Sequence, residues 1–267
     1  MAKQTDQAQF SFLQNRWILS AASVLLLSGA YLLERWPLLS FIALIPCFAL
    51  TDLPKAEEKI MEVTEVLLFI FGISLYVAFD FDLKYIFSIV ALAGLYALPF
   101  VLFLFSRKGG GPLTGYFLIL IYWLAAEYLL LKLLVLLNIY PTTVPLFGAD
   151  MLAARPEWFR WNAQAGYLAV SAWILASNWF GYRLITKPFN IFNFLIFLVA
   201  VVGPIGISYL VPSESITREN VFELYRSVSV TETSGYAMYG EWIGRTCAWV
   251  SVLVLLFSFV RLKTKNK

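Results

Sequence analysis

Eight stretches of this chain are apolar over lengths at or near what a helix needs to cross a bilayer, and that repetition restricts the fold more than any other feature. A hydrocarbon core about 30 Å thick takes about 20 helical residues. No water is available inside it, so a crossing chain must satisfy its own N–H and C=O groups, which for runs this long leaves helices. The runs cover residues 17–33, 36–50, 63–79, 85–105, 113–137, 163–180, 189–210 and 238–260. The second is the weakest, because Pro37 and Pro46 bracket a run shorter than the others, so a half-helix or a re-entrant piece fits it as well. Composition agrees: 60% hydrophobic residues, 14% charged residues and a mean hydropathy of +0.75, where soluble domains carry about a quarter charged residues. The expected fold is therefore all-α, a polytopic membrane protein whose single domain is an eight-transmembrane-helix bundle.

Charge sets the expected orientation. With eight crossings and an inside amino terminus, the inside segments hold Lys3, Arg16, Lys55, Lys59, Arg107, Lys108, Arg183, Lys187, Arg261, Lys263, Lys265 and Lys267. The outside segments hold Arg35, Lys84, Arg155, Arg160, Arg218 and Arg226, half as many, with Lys132 and Arg245 inside spans. Such a bias fits positive-inside insertion, and deleting the second span would put most basic residues on the wrong side. Residues 1–16 and 261–267 are then cytoplasmic tails, and the longer loops 138–162 and 211–237 face outward. Trp17, Trp36, Trp158, Trp161 and Trp242 fall near span ends, as an aromatic belt requires. The first run follows a polar stretch and is followed by many others, so it reads as a first span and not a removable signal.

A net charge of +3 spread over short loops excludes a nucleic-acid-binding stripe. Cys47 and Cys247 both lie in apolar runs at different depths, which argues for small hydrophobes rather than a disulfide. Gly109, Gly110 and Gly111 join two spans, so they read as a flexible loop and not a phosphate cradle, which needs a strand before it. Asp80, Asp82 and Lys84 read as the solvated tip of a turn, with no base or metal ligand near them. Neither a metal nor a cofactor is implied.

Glu127 and Lys132 are the intramembrane polar candidates, since a charge at the bilayer centre costs roughly 3 kcal/mol on insertion scales. Five residues apart, they point roughly 140° from each other around a helix, so each needs a partner elsewhere. The plain alternative is that Glu127 hydrogen-bonds within the bundle and Lys132 snorkels toward the interface. At the outer interface, Arg155, Trp158, Arg160 and Trp161 form a candidate docking or headgroup-contacting segment, although belt anchoring explains the aromatics equally well. Glu241 and Arg245 have the spacing of a helix-surface pair, with lipid or partner contact at Arg245 as the alternative. Gly203 and Pro204, with Gly206, are expected to interrupt the seventh span and free backbone carbonyls.

The order of landmarks resembles the membrane part of apolipoprotein N-acyltransferases. Three patches carry the likeness. Ser28, Gly29, then Trp36, Pro37, Leu38 and the run Phe41 to Pro46 are similar to the opening pattern of that family. Tyr122, Trp123, Glu127 and Tyr128 are similar to its "LW…EWLR" helix, followed by Pro145, Phe147, Gly148, Pro156, Trp158, Trp161, Gly166, Trp173 and Asn178. Tyr239, Gly240, Glu241, Gly244 and Arg245 resemble its "GD-IGR" entry into the last span.

The resemblance implies a bacterial cytoplasmic (inner) membrane and, between the seventh and eighth spans, a nitrilase-like domain with a Cys nucleophile, a Glu base and a Lys. Here that interval is only 211–237; it holds Glu214, Glu219, Glu223 and Glu232 but neither Cys nor Lys. Cys247 stands in an apolar setting that disfavours a thiolate. No catalytic residue carries over. The reading that follows is a non-catalytic membrane subunit that binds membrane lipids or other protein subunits. The alternatives are the membrane half of a split acyltransferase, with a separate nitrilase-like chain docked outside, and a lipid or small-molecule transporter.

Overall fold

The computed structural model describes residues 15–32, 37–109, 115–137, 147–148, 152, 154–212 and 235–265; of residues 235–241 and 265 it describes the backbone alone. Within them the chain is all-helical. Helix α1 is Arg16–Leu32, opened by the Asn15 carboxamide, which accepts from the Trp17 N–H at 3.0 Å. A 3₁₀ turn Pro37–Phe41 leads into α2, Ile45–Thr51, and α3 is Ile60–Ala78. A second 3₁₀ turn, Leu83–Tyr85, runs into α4, Ile86–Lys108, and α5 is Phe117–Leu136. After the 3₁₀ turn Pro156–Trp158 come the single-turn α6, Asn162–Ala165, then α7, Leu168–Thr186, α8, Ile191–Leu210, and the long α9, Gly235–Lys265.

Among the described residues, five stretches are long and apolar enough to cross a membrane: Ile60–Ala78, Leu83–Lys108, Phe117–Leu136, Ile191–Leu210 and Trp242–Thr264. The expected count of eight is thus met only in part. The first run gives α1, an apolar helix of 17 residues, and the residues that follow it lie outside the described ones. The second run is not one helix, because its 3₁₀ turn and α2 are separated by a turn and Pro46 enters α2 in its first turn. The sixth run starts late. Gly166 takes a φ of 94°, which L side chains rarely adopt, so it separates α6 from α7 and shifts the helix to Leu168–Thr186, where Asn178, Tyr182 and Arg183 lower its hydropathy.

The bundle has two ends. At one, Arg16 pairs with Glu62 at 3.3 Å, and Arg107 pairs with Asp52 at 2.9 Å. The starts of α1 and α3 therefore lie at the same end, and the chain returns there through the Pro37–Thr51 stretch. At the opposite end Asp80 and Phe81 take φ of 53° and 59° in the tight turn between α3 and α4, where Asp82 pairs with Lys84.

Burial ranks the helices. In α5, 72% of the apolar window is buried, against 6% in α8 and 17% in α9, so α5 is the central helix and the other two are peripheral. Around α5 an aromatic core forms: Trp123 stacks on Tyr96 with centroids 5.3 Å apart and packs against Phe71, Phe100 and Phe147.

Candidate functional site, a lateral groove between three helices

Helix α9 runs antiparallel to α5 and is held to the bundle at two close approaches. A Cβ at Gly244 would lie 2.6 Å from Tyr128 Cδ2 and 2.8 Å from Leu168 Cδ1, so only glycine lets α9 come this near to α5 and α7. Toward the other end, a Cβ at Gly109 would lie 3.0 Å from the Ser258 carbonyl oxygen. Between these contacts the facing residues are small, Ala125 and Ala126 on α5 with Ala248 and Ser251 on α9. They leave a groove of about 520 Å³ that Leu98 and Leu102 of α4 complete.

The groove is almost wholly apolar, and two of the three hydroxyls on its lining residues, those of Tyr122 and Ser251, are engaged elsewhere. Tyr122 Oη and Ser106 Oγ are 2.6 Å apart in a buried hydrogen bond, and Ser251 Oγ donates to the Cys247 carbonyl of its own helix at 2.7 Å. Among its described lining residues Arg245 carries the only charge, and it stands at the end near Tyr128 and Leu129. The outer rim, Trp249, Val252 and Leu129, is exposed, so the groove opens toward the surface that faces lipid in a membrane.

The other sequence candidates fall apart in space. Glu127 is buried, and its Oε1 accepts from the Phe147 N–H at 3.0 Å, which seats Phe147 against Trp123. Lys132 is half-buried, with Nζ 5.8 Å from the centroid of the Tyr128 ring. Arg155 is exposed and pairs with Glu157 at 3.5 Å. Trp158 and Trp161 are half-buried rather than displayed, Trp161 packing edge-on against Trp173 at 5.7 Å, and Arg160 beside them is also half-buried. The Glu241 side chain, Trp36 and nearly all of the 211–237 interval lie outside the described residues.

Gly203 and Pro204 do not end the seventh span. Helix α8 runs through them. Proline has no N–H, so the carbonyl four residues back, at Ala200, is left without its helical donor. Trp173 Nε1, from α7, donates to that carbonyl at 2.7 Å, and Ser177 Oγ lies 3.2 Å from it while its shorter hydrogen bond, 3.0 Å, goes to the Trp173 carbonyl of its own helix. The freed carbonyl thus holds α8 to α7.

Two constellations have no local signal in the sequence. Asn178, fully buried on α7, accepts from the Leu44 N–H at 2.7 Å and donates to the Ser40 carbonyl at 2.8 Å, which satisfies the backbone where the second run is interrupted. At the Arg107 end, Asp52 accepts from the Tyr182 hydroxyl and pairs with Arg107, which also donates to the Thr51 carbonyl at 3.1 Å. Tyr116 lies beside them, and burial, then the neighbouring Asp52 carboxylate, pushes its phenol above the ordinary tyrosine range. These residues come from four separate segments, so only folding brings them together. No protein-family model, curated protein or solved structure matches this chain.

Proposed function

We propose that this chain is a non-catalytic integral membrane subunit, similar in plan to the membrane part of apolipoprotein N-acyltransferases, that acts as a scaffold offering a lipid-facing groove to the bilayer and to partner chains. The observation that carries this reading is the groove between α4, α5 and α9, apolar along its walls, with Arg245 at one end. Among the described residues, five helices long and apolar enough to cross a membrane support a lipid setting for it. The interval ahead of α9 has neither Cys nor Lys, so it lacks the groups that acyl transfer through a thiolate requires.

The same reading takes eight crossings, with both termini on the cytoplasmic side of a bacterial inner membrane. In its favour are the basic residues gathered at the Arg107 end and the return of the chain to that end before α3. Extraction from native membranes in mild detergent, followed by identification of bound lipids and proteins, tests the function. Recovery with specific lipid or a partner chain supports it. A bare monomer, or turnover of a phospholipid donor by the purified chain alone, overturns it. For topology, the thiol of Lys108→Cys is expected to react with an impermeant reagent only from the cytoplasmic side, and that of Asp82→Cys only from the opposite side.

A further inference from the structure

The end of the bundle that carries Arg107 also holds a small cavity with a charged mouth, separate from the groove between α4, α5 and α9. It measures about 210 Å³ and lies between the start of α1, the turn that follows α2 and the first turns of α3. We propose that it binds a small carboxylate with a short apolar tail, taken up from the aqueous phase at that end.

Charge is the first argument. The charged residues lining the cavity are Arg16, Lys59 and Glu62. Glu62 Oε1 accepts from Lys59 Nζ at 3.0 Å, and its Oε2 accepts from Lys59 Nζ at 3.2 Å and from Arg16 Nη1 at 3.3 Å. One carboxylate thus serves two cations, and the lining keeps one uncompensated positive charge. Arg16 uses Nη1 alone among the described residues, so most of the five donors of its guanidinium remain for a ligand. All three side chains are about half exposed, which places them at the mouth. A monoanion balances the excess charge. A phosphate monoester, close to doubly charged at neutral pH, overshoots it beside Glu62.

Shape is the second argument. Behind the mouth the walls are hydrocarbon, with Leu50, Ala56 and Val63 all buried. Ala56 is carried there by a turn in which Lys55 takes a φ of 61°, a left-handed conformation that strains a residue with a side chain. The Ala56 N–H donates to the Leu53 carbonyl and the Lys59 N–H to the Lys55 carbonyl, each at 3.0 Å, which fixes that turn. The strain is held where it shapes this wall. At about 30 Å³ per water the cavity has room for on the order of seven waters, a size that suits a small organic acid.

The test dialyses the full chain in one detergent against labelled hexanoate, acetate, hexyl phosphate and hexanol, and counts ligand bound above protein-free micelles. The expected result is one hexanoate per chain, with the other three each held at least about tenfold less tightly. Arg16→Gln and Lys59→Gln are each expected to weaken hexanoate about tenfold, as loss of a charged hydrogen bond does. Lys84→Gln, at the opposite end, leaves it unaltered. Val66→Trp, which fills the cavity from α3, should abolish retention. Glu62→Gln moves in a direction that a merely structural ion pair does not predict: hexanoate should tighten, and hexyl phosphate should gain about tenfold as the opposing carboxylate is removed.

Hexanol held as tightly as hexanoate, or hexanoate unchanged in both Arg16→Gln and Lys59→Gln, overturns the proposal. So does the absence of retention above protein-free micelles. Hexyl phosphate held as tightly as hexanoate by the unmodified chain overturns the carboxylate assignment. Should the variants fail to fold, the unmodified chain still decides: hexanoate preferred over acetate, hexyl phosphate and hexanol supports the proposal, and equal retention of the four overturns it.

Discussion

Leu44 gives its backbone N–H to the side chain of Asn178 at 2.7 Å, across 134 residues of sequence, so an α7 carboxamide completes the backbone of a stretch interrupted near the start of the chain. The same carboxamide donates to the Ser40 carbonyl and to its own helix at Ile174, each at 2.8 Å. Irregular backbone at membrane depth is tolerated only where protein buries and satisfies it, and all seven residues of α2 are buried.

Asn178→Leu is accordingly expected to be among the most damaging single changes. It removes two bonds to the interrupted stretch and leaves the Leu44 N–H and Ser40 carbonyl buried without them. At about 0.6 to 1.7 kcal/mol per bond in a membrane bundle, with the desolvation of stranded groups added, the loss is about 2–4 kcal/mol. Thermal melting in detergent measures it. Asn178→Asp keeps the acceptor for Leu44 but loses the donor to Ser40, and the two effects are separated by comparing its melting temperature with that of Asn178→Leu.

The Ala200 carbonyl gives a sharper test, because its helical donor is missing through Pro204 and its replacement comes from Trp173. Trp173→Phe is expected to cost about 1 kcal/mol in the native sequence. In a Pro204→Ala background the backbone N–H restored by that change can donate to the same carbonyl, and the cost should shrink by at least half. A double-mutant cycle reads this coupling. Additive effects would show that Trp173 and Pro204 act independently.

Tyr116 predicts an alkaline response. Its phenol is raised above the unfolded tyrosine value of about 10, so the folded chain holds that proton more tightly than the unfolded chain. The resulting stabilisation is fully present below about pH 10 and is lost as pH rises through the folded value. The melting temperature is therefore expected to fall above about pH 10, and Tyr116→Phe should make that fall shallower. Tyrosinate absorbance followed through the same titration should show one fewer late-ionising tyrosine in the variant.

At Gly244 the constraint is steric. A methyl there meets the Tyr128 ring at 2.6 Å, and Tyr128 is packed between α5 and α9. Gly244→Ala is expected to cost about 1–3 kcal/mol, the usual range for overpacking, and Tyr128→Ala should recover part of that loss by opening room. Failure of the second change to rescue would place the strain on Leu168, which the same methyl meets at 2.8 Å.

What the sequence determined by itself is the helical, bilayer-compatible character of the chain and most of its helix positions. Apolar length and backbone satisfaction leave no other spanning structure, and the 63–79, 85–105, 113–137, 189–210 and 238–260 runs all overlap long apolar helices. Composition could also single out Glu127, since a carboxyl in an apolar run demands a partner, although not that the partner is the Phe147 N–H. The tertiary structure alone decided the rest. Whether Pro204 ends a helix or frees a carbonyl for Trp173 depends on a donor from another helix. The groove exists because Ala125, Ala126, Ala248 and Ser251 face one another between two glycine contacts. Asn178, Asp52 and Tyr182 look ordinary where they stand in the sequence, because hydrogen bonds between segments more than a hundred residues apart leave no periodicity in either one.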